Sequence, residues 1–413
     1  MTLILVFMLQ ASLGMSFDQL AQAAVAQNKS LQAAREQLRQ AVARLKQAGL
    51  RPNPSLDLSR STDVLFANEG ENGFAIMLSQ PIELGGKRQK RIQVAEAEVE
   101  LAKAEIADAE RQLIGQLRTA YLRAAETSAR LNFLERTRGL NQQMVQVMTV
   151  RLAAGDASRL DSHLLQAENN RVEAQRLQAE SQLTQEMFEV RKLAGISPNE
   201  PLSLRPVDAS VHSLPLETEA DLIESALRNR PDLQAARLRE ALEDAGVAFA
   251  RTQAVPNITG SVRYAREPNV SRFATATQPR AFEKESVLEV GVSIPLPFWN
   301  REQGNIREAA SRVAQATAER EALENTIRLE VAAAMRRYQS AVRSLELIRT
   351  GVVNETQSGF SITQLAYRLG DARLADVILQ QHSLIDAQMA ELAADGEVAA
   401  AQASLNFALG VVK

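Results

Sequence analysis

Leu31-Gln32-Ala33-Ala34-Arg35 returns letter for letter as Leu233-Gln234-Ala235-Ala236-Arg237, an offset of 202 positions. Pro54 keeps that offset to Pro256. Further on, Ser79-Gln80-Pro81 answers to Ser293-Ile294-Pro295 at 214, and Gly155-Asp156-Ala157 to Gly370-Asp371-Ala372 at 215. Asp161 with Asp376 and Gly195 with Gly410 also stand 215 apart. Order and near-constant spacing over the whole chain identify an internal tandem duplication of about 200 residues. The offset grows mainly through a longer loop near 265–285 in the second copy. The reading is a signal remnant over 1–16, a first structural repeat over 17–214 and a second over 215–413, the two repeats forming one elongated unit.

Each copy has the same internal order. Apolar periodicity predicts a first helix over 17–50, and again over 217–253, each followed by a proline-marked break at Pro52-Asn53-Pro54 and Pro256. Two short alternating segments follow in each copy. They are Leu56 to Ser59 and Phe74 to Ser79 in the first, and Ile258 to Tyr264 and Leu288 to Ile294 in the second. Period-two alternation gives each segment one apolar face, which suits either a soluble hairpin or a membrane barrel. A helix without proline then runs from about Arg88 to Leu152. Ile92, Val99, Ile106, Leu113 and Ala120 recur every seven residues, with Ala95, Ala102 and Ala109 between them. That is a heptad seam with small residues at alternate positions, which allows close helix approach. A glycine turn at Gly155 leads to a return helix over 159–194, and the second copy repeats the hairpin across 306–369 and 374–409. At 1.5 Å per residue the long helix reaches roughly 100 Å, as do the two shorter helices of a copy placed end to end. The expected fold is mainly α with a small β part: a long α-helical barrel protomer with a β end of four strands, which are transmembrane on the membrane-barrel reading.

Four strands cannot close a pore, and open edges in lipid leave backbone groups unsatisfied at several kcal/mol each. Spanning a membrane therefore requires oligomerisation. Composition agrees with long helices: 45% of residues are apolar but only 4% aromatic, and no apolar run after the N-terminus approaches the ~18 residues of a spanning helix. Leu3 to Leu9 is a short apolar stretch resembling the core of an export signal, without a positive n-region. The net charge of -3, with both signs interspersed, gives no basic surplus for nucleic acid. There is no cysteine, which excludes disulfides, thiolate metal sites and a cysteine nucleophile. His163, His212 and His382 stand in no metal-ligand spacing and are read as isolated surface or seam residues. With no nucleophile elbow, zinc motif or phosphate loop, the chain is read as no enzyme and as needing no cofactor.

Particular phrases carry a family resemblance. Gln80-Pro81-Ile82-Glu83-Leu84-Gly85-Gly86-Lys87-Arg88 is one. Its partner is Val290 to Pro297 with Asn300-Arg301-Glu302-Gln303-Gly304, and Asn53-Pro54 is a third. Over residues 17–413 the chain resembles the outer-membrane factor (TolC-like) family of tripartite efflux systems, in phrases nearest its heavy-metal, CzcC- and CusC-type branch. The resemblance implies a homotrimer with a 12-stranded barrel in outer-membrane lipid and a helical tube in the periplasm. It also implies a periplasmic adaptor (membrane fusion) protein at the tube tip and an inner-membrane pump of the resistance-nodulation-division class. The implied function is a passive export duct, for heavy-metal cations on the closest phrases, with drugs or secreted peptides as the alternative cargo. A periplasmic coiled-coil scaffold or adaptor is the rival of another class. An adaptor has one hairpin flanked by compact β domains, whereas two hairpins alternate here with strand pairs.

The candidate functional residues lie at the hairpin turns. Arg151, Leu152, Gly155, Asp156 and Ser158 in the first turn, and Tyr367, Arg368, Gly370 and Asp371 in the second, match the family's adaptor-contacting tip. Glycine suits the left-handed end of a helix and Ser158 suits the cap of the next one, so both have structural roles as well. Arg373 stands where serine is commoner, and Leu152 where the other copy has Tyr367. Asp161 and Asp376 lie six residues beyond the two glycines. The resemblance places them at a pore constriction, where carboxylate rings favour cations and repel one another. The alternative is a helix-start aspartate favoured by the dipole. Lys87, Arg88 and Arg301 are read as a water-facing junction between strands and helix, with contact to lipid headgroups or the tube entrance as the alternative.

Overall fold

The computed structural model describes residues 14–62, 72–155, 158–205, 218–270 and 282–411. Its elements run α1 (Phe17–Gln27), α2 (Lys29–Ala48), β1 (Ser55–Thr62), β2 (Asn72–Ile82), α3 (Lys87–Ala153), α4 (Arg159–Ala194), α5 (Glu219–Asn229), α6 (Pro231–Gln253), β3 (Ile258–Val270), β4 (Phe282–Ser293), α7 (Gln303–Leu347), α8 (Asn354–Leu369) and α9 (Leu374–Ala408). The order helix, helix, strand, strand, long helix, return helix occurs twice. The chain is mainly helical with one small antiparallel sheet, as the sequence pattern predicts. The apolar stretch Leu3 to Leu9 lies outside the described residues.

Two compact units divide the residues, and each takes segments from both copies. The helical unit comprises Met1–Arg35, Glu105–Gln234 and Ala322–Lys413; the sheet-bearing unit comprises Glu36–Ala104 and Ala235–Glu321.

The helical unit has two core clusters that are copies of one another. Leu20, Ala24 and Leu31 pack with Leu113 and Leu117 in one. Their duplicates Leu222, Ala226, Leu233, Ile327 and Val331 pack in the other. Each fully buried aliphatic side chain contributes about 1.5–3 kcal/mol. The large aromatic residue does not hold its place: Tyr121 serves the first cluster and Tyr338 the second, 217 positions apart rather than 214. Tyr121 keeps its hydroxyl satisfied by donating to the Arg205 carbonyl at 2.8 Å.

The predicted opening helix is in fact two helices in each copy. Asn28 and Arg230, related by the 202 offset, both leave the helical region, with ψ of 122° and 123°. Pro231 disfavours helical backbone at Arg230 and then opens α6. In the first copy Asn28 does this with its side chain: Oδ1 accepts from the backbone of Ser30 and Leu31, at 2.9 and 3.2 Å, and so caps α2. A continuous helix over 306–369 is likewise interrupted, by a π-helical turn at Ile348–Val353. The duplication explains it. Lys87 stands 214 residues before Arg301, while Gly155 stands 215 before Gly370, so the second long helix has one extra residue. Buried positions stay in register up to Leu345, just before the turn. A π turn accommodates that residue without re-phasing the apolar face.

In the sheet-bearing unit the strands follow chain order, β1-β2-β3-β4, all antiparallel. Register aligns Leu56, Leu78, Val262 and Val290 in one row, and Leu58, Ile76, Tyr264 and Leu288 in the next. Alternate rows read Asp57, Met77, Arg263, Glu289 and Ser55, Ser79, Ser261, Gly291. Period-two geometry puts the first pair of rows on one face and the second pair on the other. One face is thus apolar along these rows, with Gln80, Gly260 and Val292 forming the next row on it. The other is polar and small, with Arg263 paired to Glu289 and Glu267. Lys87, expected to face water, is buried, and its Nζ donates to Asn257 Oδ1 at 2.7 Å. It ties the strand-to-helix junction of one copy to the helix-to-strand junction of the other.

Candidate functional site

The first hairpin turn closes at Gly155 with φ +82°, its N–H donating to the Leu152 carbonyl at 3.1 Å. The second closes at Gly370 with φ +88°. There the Gly370 N–H bonds Tyr367 and the Asp371 N–H bonds Ala366, the paired bonds of a Schellman end. A Cβ added at either glycine meets nothing within 4 Å, so backbone conformation and not space demands glycine. Asp156 lies outside the described residues.

Ser158 caps α4 as expected, accepting from the Asp161 N–H at 3.1 Å. The second turn is capped differently. Arg373 offers no hydroxyl, and Asp376 Oδ2 instead reaches back to the Arg373 N–H at 3.0 Å. Asp376 is therefore exposed and anchored, while Asp161 is half-buried. The two turns belong to one end of the helical unit. Met148 on α3, Leu165 on α4 and Leu374 and Ile378 on α9 form a single apolar cluster, with Tyr367 packed against it. Arg151 and Arg368 are exposed beside it, and Leu152 is half-buried.

Polar residues that the sequence reading treated as background join the two hairpins. His382, taken as isolated, pairs through Nε2 with the carboxylate of Glu168, whose side chain is 2% exposed. Arg171 holds the same carboxylate with Nε and Nη2, each at 2.9 Å. Close by in sequence, Gln381 donates to Asn141 at 2.9 Å. Glu168 lies between Leu165 and Val172 on the buried stripe of α4, and a charge on such a stripe was the available signal. His163 is exposed, and His212 lies outside the described residues. Among the described residues no three His, Asp or Glu side chains are grouped to hold a metal ion.

Sequence reasoning also missed a duplicated clasp. Asn28 Nδ2 donates to the Leu193 carbonyl at 3.0 Å, and Arg230 Nη1 to the Ala408 carbonyl at 3.3 Å. Leu193 and Ala408 are 215 apart, each two residues before the left-handed glycine that ends its return helix. A Cβ on Gly195 would press on Gln27 and Asn28, and one on Gly410 on Arg230, each at about 3.1–3.2 Å. The position is kept and its chemistry changed. In the second copy Arg230 also binds Asp232 and Glu330, and Arg111 joins through Asp232 and the Phe407 carbonyl. Burial alone would raise the Asp232 pKa; hydrogen bonding from Arg230 and the field of Arg111 hold it below the usual carboxylate range.

A model of the family described as "Outer membrane efflux protein" matches residues 20–196 and 222–411, nearly all of the chain and in two stretches that follow the duplication. The chain belongs to this family. Among curated relatives, the cobalt-zinc-cadmium resistance protein CzcC of Cupriavidus metallidurans is 25% identical over 389 residues, covering 94% of this chain and 88% of that one. The nickel-cobalt-cadmium resistance protein NccC of Alcaligenes xylosoxydans is 27% identical over 286 residues, 68% of this chain and 58% of that one. A solved structure of CusC, described in connection with transmembrane channel formation, superposes with a TM-score of 0.79 at 18% identity, covering 96% and 93% of the two chains. Family membership makes the chain an outer-membrane efflux component and sets aside the scaffold and adaptor readings.

Proposed function

We propose that this chain is the duct of a tripartite heavy-metal efflux system, working as a homotrimer with a periplasmic adaptor and an inner-membrane pump of the resistance-nodulation-division class. One observation carries the duct reading: the four-stranded sheet has a mainly apolar face and a mainly polar or small one. That pattern suits strands with lipid outside and water inside. No helix among the described residues is long and apolar enough to cross a membrane. β1 and β4 each have one edge with no strand partner among the described residues. Copies of the chain satisfy those edges, and three of them give 12 strands. The helical unit supports the same assembly. Val147 and Val150 are exposed, and so are their duplicates Ile362 and Leu365, leaving matching apolar stripes for neighbouring copies.

The metal cargo rests on the relatives named for cobalt, zinc, cadmium and nickel resistance. Arg151, Leu152, Gly155, Asp156, Ser158, Tyr367, Arg368, Gly370 and Asp371 are proposed as the adaptor-facing tip. Asp161 and Asp376 are proposed as carboxylate rings at the constriction, where they favour cations over anions. His382 and Glu168 hold helices together and are assigned no cargo-binding role. A duct must release what it conducts.

Deleting the gene and measuring growth inhibition by zinc, cadmium, cobalt, nickel and copper beside drugs and detergents tests the proposal. Selective metal hypersensitivity, restored by the intact gene and not by one with Gly155 and Gly370 both changed to valine, is the expected result. Hypersensitivity to drugs alone would sink the metal assignment and leave the duct.

A further inference from the structure

The segment after β4 reads Ile294-Pro295-Leu296-Pro297-Phe298-Trp299-Asn300-Arg301. Its apolar side chains find little cover. Ile294, Leu296 and Phe298 are half or more exposed, and Trp299 is 88% exposed. Phe298 and Trp299 pack edge to face, with ring centroids 6.0 Å apart. A large exposed indole next to a phenyl ring is costly in water and is the pairing that bilayer interfaces accommodate.

Sheet register places this segment relative to the apolar face. On that face the row Arg60, Phe74, Arg266, Ser286 is the first to carry charge, and it marks one border. At the other border Ile82 pairs with Ile258, and Ile294 follows directly after β4 at the same level, since Ser293 pairs with Thr259. From Phe74 to Ile82 is about 27 Å along the strand at ~3.4 Å per residue, or about 21 Å of height at a ~40° tilt. That is close to the ~25 Å apolar band of an outer-membrane barrel. Leu296, Phe298 and Trp299 therefore follow just past the helix-side border of the apolar rows, the level at which a membrane barrel meets the phospholipid headgroups. Arg301 follows, with Nε turned to the Pro297 carbonyl at 3.3 Å. The other copy has Glu83 to Lys87 at this point, with no aromatic residue, so one anchor belongs to each chain.

We propose that the Ile294–Arg301 segment is an interfacial anchor. In it Trp299 and Phe298 seat in the headgroup and upper acyl region of the periplasmic leaflet, with Arg301 toward lipid phosphate. This rests on the membrane reading of the sheet and adds the depth at which the barrel is held.

Trp299 is the single tryptophan of the chain, so native fluorescence reports this site alone. The full chain is reconstituted into phosphatidylethanolamine–phosphatidylglycerol vesicles with bromine at shallow or deep acyl positions, and insertion is checked by flotation. The expected result is blue-shifted emission relative to the urea-unfolded chain, loss of most intensity with shallow bromines, less with deep ones, and protection from aqueous iodide. Floated protein with red, iodide-accessible emission untouched by bromine overturns the anchor and leaves the duct intact. Blue-shifted emission that neither quencher reaches assigns Trp299 to a contact between copies and also overturns it. Failure to float overturns the membrane reading of the sheet, and the anchor with it.

Discussion

Replacing Arg230 with methionine is expected to destabilise the helical unit by about 2–4 kcal/mol, at the lower side of the range for breaking a buried ion pair. The side chain is 4% exposed and donates to Asp232 at 3.0 and 2.6 Å, to Glu330 at 2.5 Å and to the Ala408 carbonyl at 3.3 Å. Methionine preserves much of the volume and removes every donor. Glu330 is 46% exposed and turns to water at little cost. Asp232 is 16% exposed and keeps Arg111 at 3.3 Å, which limits the loss. The Ala408 carbonyl is left without this donor at the end of α9. The repeat-related change Asn28→Ala removes two caps and one carbonyl bond but no charge, and should cost about 1–2 kcal/mol. Native-state hydrogen exchange in the detergent-solubilised protein reads both, through amides near Ala408 for the first and near Leu193 for the second. The pH dependence has a definite sign. Asp232 is held low in the native state, so its pairing stabilises above the unfolded carboxylate pKa and fades as pH falls through the native one. The penalty of Arg230→Met should shrink over that acid range. An Arg230→Met cost no greater than that of Asn28→Ala, or one unchanged by pH, would refute the buried-charge account.

Three further outcomes are expected. Gly370→Ala forces a left-handed alanine into open space and should cost about 1–2 kcal/mol, measured by hydrogen exchange at the turn, with Gly370→Asn closer to wild type. Gly115→Ala sets a methyl 2.4 Å from Phe407 Cδ2 and should cost about 1–3 kcal/mol in a thermal melt, partly recovered by adding Phe407→Leu. Burial, with Glu186 and Glu397 nearby, pushes the Glu126 carboxyl above the usual range against Arg130 and Arg123. A raised acid stabilises below its unfolded pKa and loses that contribution as pH rises through the folded one, so Glu126→Gln should raise the melting temperature most at neutral pH and least in acid.

How much was legible depended on how local the cause was. The duplication, hairpin turns and their left-handed glycines follow from spacing and backbone chemistry, and so do the strand centres, although β3 runs on to Val270 and β4 starts at Phe282, inside the stretch read as a loop near 265–285. Ser158 acts on a neighbour three residues away, so its cap was readable too. The break at Asn28 was not, because Asn28 is stabilised partly by the Leu193 carbonyl 165 residues on. Pro231 is a local signal for the equivalent break, although periodicity ran one helix through it over 217–253, and only the fold shows Arg230 donating to the Ala408 carbonyl on α9. Glu168 and His382, 214 positions apart, become partners only when two return helices pack side by side.

Sequence by itself determined that this chain is a duplicated helical-hairpin protein with two strand pairs, since periodicity and repetition are one-dimensional signals. Tertiary structure decided which charges are buried, which caps are supplied from afar, and that one sheet joins both strand pairs with a single apolar face. Those outcomes depend on desolvation and on distances between residues hundreds of positions apart, and no local pattern encodes them.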